Sequence, residues 1–169
     1  DAANVQYFGT GVHTNVLITA KSNQTIYIDA GAIVYGQIFC GMGSNFTIAG
    51  HGVLCGSIYD RYADTIVPVS ITNAHDFTIR DITILDPSAW TVNLYKCKNA
   101  VIDNVKIIGA RSNSDGITMQ NVENVLVQNC FVRSWDDNLV VKGYNGNVDG
   151  VTCRNCILWT DLAQSCEIG

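Results

Sequence analysis

The 169-residue sequence predicts an all-β chain wound as a parallel β-helix, and three observations predict it. The composition is that of strands and turns: two prolines, fifteen glycines and many short Val/Ile/Thr/Tyr runs broken by Asn, Asp, Gly and Ser. No stretch keeps an apolar stripe at helical spacing for three turns. One phrase is written four times, as Phe77-Thr-Ile-Arg-Asp-Ile-Thr-Ile84, Ala100-Val-Ile-Asp-Asn-Val-Lys-Ile107, Val125-Leu-Val-Gln-Asn-Cys-Phe-Val132 and Val151-Thr-Cys-Arg-Asn-Cys-Ile-Leu158.

The elements follow in chain order. Ala32-Ile-Val-Tyr-Gly36 and Gly52-Val-Leu-Cys-Gly56 repeat at an offset of 20 residues. The shared Asp or Asn of the later phrase stands at Asp81, Asn104, Asn129 and Asn155, spacings of 23, 25 and 26 residues, so each coil takes about 20–26 residues. Apolar residues on both sides of that polar residue suit two short strands joined by a bend, with each amide stacked on that of the next coil. Leucine-rich repeats need regularly spaced leucines and a helical segment per unit, and the chain lacks that spacing. The expectation is a single domain over residues 1–169, with N-terminal coils in 1–65 and active-site coils in 66–169. The last strand, Cys166-Glu-Ile-Gly169, would have a bare edge. The chain is therefore expected to be an incomplete piece of a longer solenoid, or to have that edge covered by a partner.

Composition also excludes function classes. Fifteen acidic against ten basic residues, a net charge of −5, argue against a nucleic-acid binder that must neutralise phosphates. No segment approaches the length of an apolar membrane span, and Asp1-Ala2-Ala3-Asn4 has neither a basic nor an apolar leader region, so no membrane partner is expected. Seven cysteines cannot all pair with one another. Cys153-Arg-Asn-Cys156 has CxxC spacing in a strand-like context, but no second CxxC or His pair completes a zinc site. No metal and no cofactor are expected. Two sequons, Asn23-Gln-Thr25 and Asn45-Phe-Thr47, permit glycosylation.

Residues one coil apart stack about 4.8 Å apart in such a fold, so function is read by column. Taking Val92/Leu94, Ile117/Met119, Leu139/Val141 and Cys166/Ile168 as inward pairs aligns Trp90, Asp115, Asp137 and Gln164 just ahead of them. Asp136 stands beside that column, so three carboxylates gather within two neighbouring coils. Like charges one strand apart raise at least one pKa and leave one acid protonated while another is ionised, as acid and base catalysis needs. Adjacent Asp136 and Asp137 reach one cleft only if the chain bends there, and Trp135 and Asn138 flank such a bend. The bland alternative is that each Asp merely stacks or caps a turn. Trp90 is placed to pack against a sugar ring.

Asn113-Ser114-Asp115-Gly116 followed one coil later by Asp136-Asp137 resembles the Asn-Thr-Asp and Asp-Asp motifs of the polygalacturonases, glycoside hydrolase family 28. The stretch from Arg154 to Gly169 resembles their clan relatives, the dextranases and isopullulanases of family 49. The resemblance implies a right-handed parallel β-helix with a polysaccharide, pectin-like or α-glucan, lying in a groove on one face and hydrolysed with inversion. It implies Asp136 as general acid, with Asp115 and Asp137 positioning and deprotonating the water. Asn113, Lys142 and Gln164, with Trp90, are the candidate substrate-binding residues. Two departures stand out: Ala163-Gln164-Ser165 occupies the place of the family's Gly-His-Gly, and the family's Arg-Ile-Lys motif would fall beyond Gly169. His13, His51 and His75 lie in earlier coils and are expected to be structural or surface residues. Of the basic residues near the column, Arg111, Arg133 and Lys142, only Lys142 suggests a contact to an anionic sugar, and as an outward strand residue it is by default solvated. Two other classes remain open: a calcium-dependent lyase, in which the carboxylates would hold the cation, and a non-catalytic carbohydrate-binding or adhesion module. Enzymes on polymers too large to enter cells work outside, so an extracellular or periplasmic location is expected.

Overall fold

The computed structural model describes residues 4–61 and 66–169. Asp1-Ala2-Ala3, part of the leader reading above, and 62–65, where the N-terminal coils were set to end, lie outside the described residues. All the regular structure is β: β1 Val5–Phe8, β2 Gly11–Thr19, β3 Thr25–Ile28, β4 Ala32–Cys40, β5 Gly43–Gly50, β6 Val53–Cys55, β7 Val69–Thr72, β8 Ala74–Arg80, β9 Thr83–Leu85, β10 Val92–Tyr95, β11 Lys98–Asp103, β12 Lys106–Ile108, β13 Ile117–Gln120, β14 Glu123–Gln128, β15 Phe131–Ser134, β16 Leu139–Lys142, β17 Asp149–Arg154, β18 Ile157–Thr160 and β19 Cys166–Ile168. Every pairing is parallel between successive coils, which is the connectivity of a parallel β-helix.

One sheet runs β1-β3-β5-β8-β11-β14-β17. The second divides at β4, whose Ile33–Tyr35 half pairs β6 while its Ile38–Cys40 half pairs β7. From there one arm continues through β9, β12, β15 and β18, and the other through β10, β13, β16 and β19. The second arm positions the site.

The register is the one the repeats predict. Phe77, Ala100, Val125 and Val151 lie opposite one another, as do Ile33 and Val53 of the earlier pair. Each phrase bends at its polar residue, which adopts the left-handed conformation that Asp and Asn tolerate: φ is 69° at Asp81, 53° at Asn104, 57° at Asn129 and 52° at Asn155. The amide ladder has one departure from strict stacking. Asn104 Nδ2 donates to Asp81 Oδ1 at 2.9 Å and Asn155 Nδ2 to Asn129 Oδ1 at 2.6 Å, but Asn129 Nδ2 donates to Asp103 Oδ1 at 2.8 Å. The Asn104 oxygen instead accepts Lys106 Nζ at 2.7 Å. Both sequon asparagines stand in another ladder, Asn45 Nδ2 donating to Asn23 Oδ1 at 2.8 Å.

The inward columns are aliphatic and buried. Ile26, Ile48, Ile79 and Ile102 are fully buried in one, and Leu54, Ile84 and Ile107 in another. Phe46 stacks on Phe77 with ring centroids 4.9 Å apart. Among the cysteines, Cys40, Cys55, Cys97 and Cys130 are buried thiols, whereas Cys153 and Cys166 are exposed and Cys156 is half-buried.

Candidate active site

The site grows from β13, β16 and the segments that lead into them. Val92 pairs Ile117, Ile117 pairs Leu139 and Leu139 pairs Cys166. The ladder extends backward through Thr91 N to Asp115 O at 3.0 Å, Gly116 N to Asp137 O at 2.8 Å and Asn138 N to Gln164 O at 2.9 Å. Trp90, Asp115, Asp137 and Gln164 are thereby set in one row. Gly116 is required by space: a Cβ there would stand 2.4 Å from both the Asn138 carbonyl oxygen and Val132 Cγ1.

The bend between β15 and β16 is built by short polar side chains. Ser134 Oγ and Thr160 Oγ1 each donate to the Asp136 carbonyl at 2.8 Å. Asn138 is fully buried, and its Nδ2 reaches Ser134 Oγ at 2.6 Å and the Trp159 carbonyl at 3.0 Å. Trp135 N donates to Ser114 Oγ at 3.2 Å, tying the bend to the preceding coil. Asp137 N donates to Asp136 Oδ1 at 3.1 Å, fixing the Asp136 carboxylate against the backbone of the bend.

The three carboxylates share one electrostatic environment. Asp115 is 7% exposed and its Oδ1 has no hydrogen-bond partner. Burial, then the charges of Asp136 and Asp137, push its carboxyl from the ordinary 3.8 up to about 7, against a downward pull from Lys142. Asp137 is 8% exposed and accepts Gln164 N at Oδ1, 2.8 Å. Burial raises its pKa, the Gln164 N–H lowers it, and a hydrogen bond with the Glu167 carboxylate and the nearby Asp136 raise it again.

The predicted binding residues divide. Trp90 is half-buried in the row, Asn113 is exposed with φ of 60°, and Gln164 is exposed, acting on Asp137 through its backbone. Lys142 is not simply solvated: its Nζ pairs with Glu167 Oε2 at 3.0 Å. Arg111 grips Asp86 through Nε–Oδ1 at 3.1 Å and Nη2–Oδ2 at 2.7 Å, and Arg133 pairs with Asp161 at 2.7 Å. His13 binds the Gly9 carbonyl at 2.8 Å, His75 pairs with Asp76 at 2.7 Å, and His51 is exposed. Sequence reasoning missed Glu167, Ser114, Ser134 and Thr160. Glu167 carried a usable signal, an acidic residue at an outward strand position one coil from Lys142. Among the described residues, no group of three or more His, Cys, Asp or Glu side chains is arranged to hold a metal ion.

Fold and site together define a parallel β-helix protein with three neighbouring carboxylates on two successive coils of one sheet arm, Asp136 and Asp137 both close enough to raise the Asp115 carboxyl. The sequence profile of the glycosyl hydrolases family 28 matches residues 60–157, more than half of the chain. This chain belongs to that family. It is 28% identical over 130 residues to an exopolygalacturonase of Oenothera organensis, covering 75% of this chain and 35% of that protein. It is also 28% identical over 187 residues to an isopullulanase of Aspergillus niger, covering 96% and 32%. In structure it resembles a hyperthermoactive exopolygalacturonase from Thermotoga maritima, with a TM-score of 0.84 at 14% identity, covering 98% of this chain and 55% of that one. The chain spans about a third of the length of the curated relatives it matches.

Proposed function

We propose that this chain carries the acid and base groups of a polysaccharide-cleaving glycoside hydrolase that inverts the anomeric centre. The observation that carries the reading is the gathering of Asp115, Asp136 and Asp137 on two neighbouring coils, with the buried Asp115 held up to about 7 by its surroundings. Such a cluster keeps a proton near neutral pH, and the proton belongs to the cluster rather than to one residue.

Following the motif, Asp136 donates that proton to the glycosidic oxygen as the bond to the anomeric carbon breaks. A water on the opposite face attacks that carbon and gives its proton to Asp115 or Asp137, so the products are two sugar ends and the same number of protons on the enzyme. Half-buried Trp90 supplies an aromatic wall for a sugar ring. A polymeric substrate places the enzyme outside the cell, in an extracellular or periplasmic space.

The relatives are named for polygalacturonan and pullulan, so both belong in the test. The full-length protein is incubated with polygalacturonate, dextran and pullulan, and the anomer released is followed by proton NMR. Hydrolysis with inversion is expected. Net retention, or an unsaturated product that disappears with a chelator, overturns the reading in favour of a double-displacement enzyme or a lyase.

A further inference from the structure

Thr160 closes β18 directly opposite Ser134, the last residue of β15. Its hydroxyl has one proton, and the nearest acceptor is the Asp136 carbonyl at 2.8 Å, with the Trp135 carbonyl further off at 3.4 Å. The same oxygen accepts the N–H groups of Ala163 at 3.0 Å and Leu162 at 3.3 Å, which curls residues 161–163 around it. The next residue is Gln164, whose N–H reaches Asp137 Oδ1 at 2.8 Å. One oxygen therefore joins the backbone under Asp136 to the turn that supplies a donor to Asp137.

Winding this corner of the solenoid does not itself call for a hydroxyl. In the same column the three earlier coils have Gly56, Asp86 and Gly109, whose N–H groups bond the carbonyls of Leu85, Ile108 and Arg133 in turn. Hydroxyls enter the column at Ser134 and Thr160, on the two coils that adjoin the acid pair, and both donate to the Asp136 carbonyl at 2.8 Å. The two are not equivalent. Ser134 Oγ ties that carbonyl to Asn138 Nδ2, at 2.6 Å, within its own bend, whereas Thr160 ties it to the following coil.

Resting on the hydrolase reading above, we propose that Thr160 is a positioning residue for the acid pair, its hydroxyl fixing the backbone from which the Asp136 side chain acts and holding the turn that brings the Gln164 N–H to Asp137. Each partner of the hydroxyl is a backbone group, so it acts through placement, and a displacement of about 1 Å in a catalytic group costs on the order of a hundredfold in rate. The Gln164 donor also favours the ionised form of Asp137, against burial and the neighbouring acids. The charged groups around Asp137 are Asp136 on its own segment, Asp115 on the preceding coil, Glu167 on the following one and Lys142 at the end of β16.

The test uses the full-length protein with Thr160→Val, which keeps the shape and removes the hydroxyl, Thr160→Ser, which keeps the hydroxyl, and Ser134→Ala, which removes the other hydroxyl on the Asp136 carbonyl. On the best glycan, Thr160→Val is expected to lower kcat by about a hundredfold with KM within about twofold of wild type, and Thr160→Ser to restore kcat to within about threefold. Carbon-13 NMR titration of the Asp137 carboxyl is expected to give a higher midpoint in Thr160→Val, because the Gln164 donor withdraws, and the wild-type midpoint in Thr160→Ser and Ser134→Ala. Wild-type kcat or an unmoved Asp137 midpoint in Thr160→Val overturns the proposal. A midpoint raised equally by Ser134→Ala overturns it too, since the bend would then be loosened as a whole. Should Thr160→Val not fold, Thr160→Ser carries the test: a loss of kcat or a raised midpoint there overturns the proposal, and wild-type values support it. If the wild type cleaves no glycan, the hydrolase reading fails, and the titration still tells whether Thr160 holds the turn against Asp137.

Discussion

Replacing Asp115 with Asn should stabilise the protein at neutral pH while disabling the site. The carboxyl is 7% exposed and is raised from the ordinary 3.8 to about 7, chiefly by burial. In the unfolded chain it releases its proton near the ordinary value. Between these two pH values the folded state binds more protons than the unfolded state, so stability falls as pH rises through the window and stays low above it. The difference corresponds to about 4 kcal/mol at about 1.4 kcal/mol per pH unit. Asn matches the protonated acid in shape but brings a buried amide needing acceptors, which offsets about 1–2 kcal/mol. Asp115→Asn should therefore be about 2–3 kcal/mol more stable than wild type at pH 8 and no more stable than wild type at pH 4. Urea denaturation of the full-length protein at each pH between these limits measures the difference directly. A difference that is flat across the range, or larger in acid than at neutrality, would refute the argument that burial holds this carboxyl neutral.

Three other substitutions bear on the site and its frame. Asp136→Asn should lower kcat on the best glycan by about a thousandfold or more without shifting the denaturation midpoint by more than a small amount, since in the proposed mechanism that side chain supplies a proton rather than packing. Asn138→Ala removes the donors to Ser134 Oγ and the Trp159 carbonyl, and should cost about 2–4 kcal/mol in urea denaturation together with most of the activity, because the bend that turns Asp136 and Asp137 loosens. Gly116→Ala puts a methyl 2.4 Å from the Asn138 carbonyl oxygen and should cost about 1–3 kcal/mol and at least tenfold in kcat; wild-type kinetics in that variant would show that Asp115 does not need its present backbone position.

The coil architecture was legible because its rules are local and repeated. A strand alternates, a bend needs a residue that tolerates positive φ, and stacking forces the same choice at every turn, so Asp81, Asn104, Asn129 and Asn155 announce the register before any coordinate does. The exception at Asn129, which donates to Asp103 rather than Asn104, falls where Lys106 of the same phrase donates to the Asn104 oxygen. The carboxylate row followed from the same register, since aligning the inward pairs aligns what precedes them. What could not be read was any property that depends on how side chains share partners across coils. Lys142 looked like an outward, solvated cation because alternation says where a residue points, not which residue one strand away is long enough to reach it diagonally. Nor does alternation show that Arg111 and Arg133 are held by Asp86 and Asp161, 25 and 28 residues away. The site's charge is therefore set by pairings that periodicity does not encode. A motif can name the three acids, while the ion pairs around them set the charge of their surroundings.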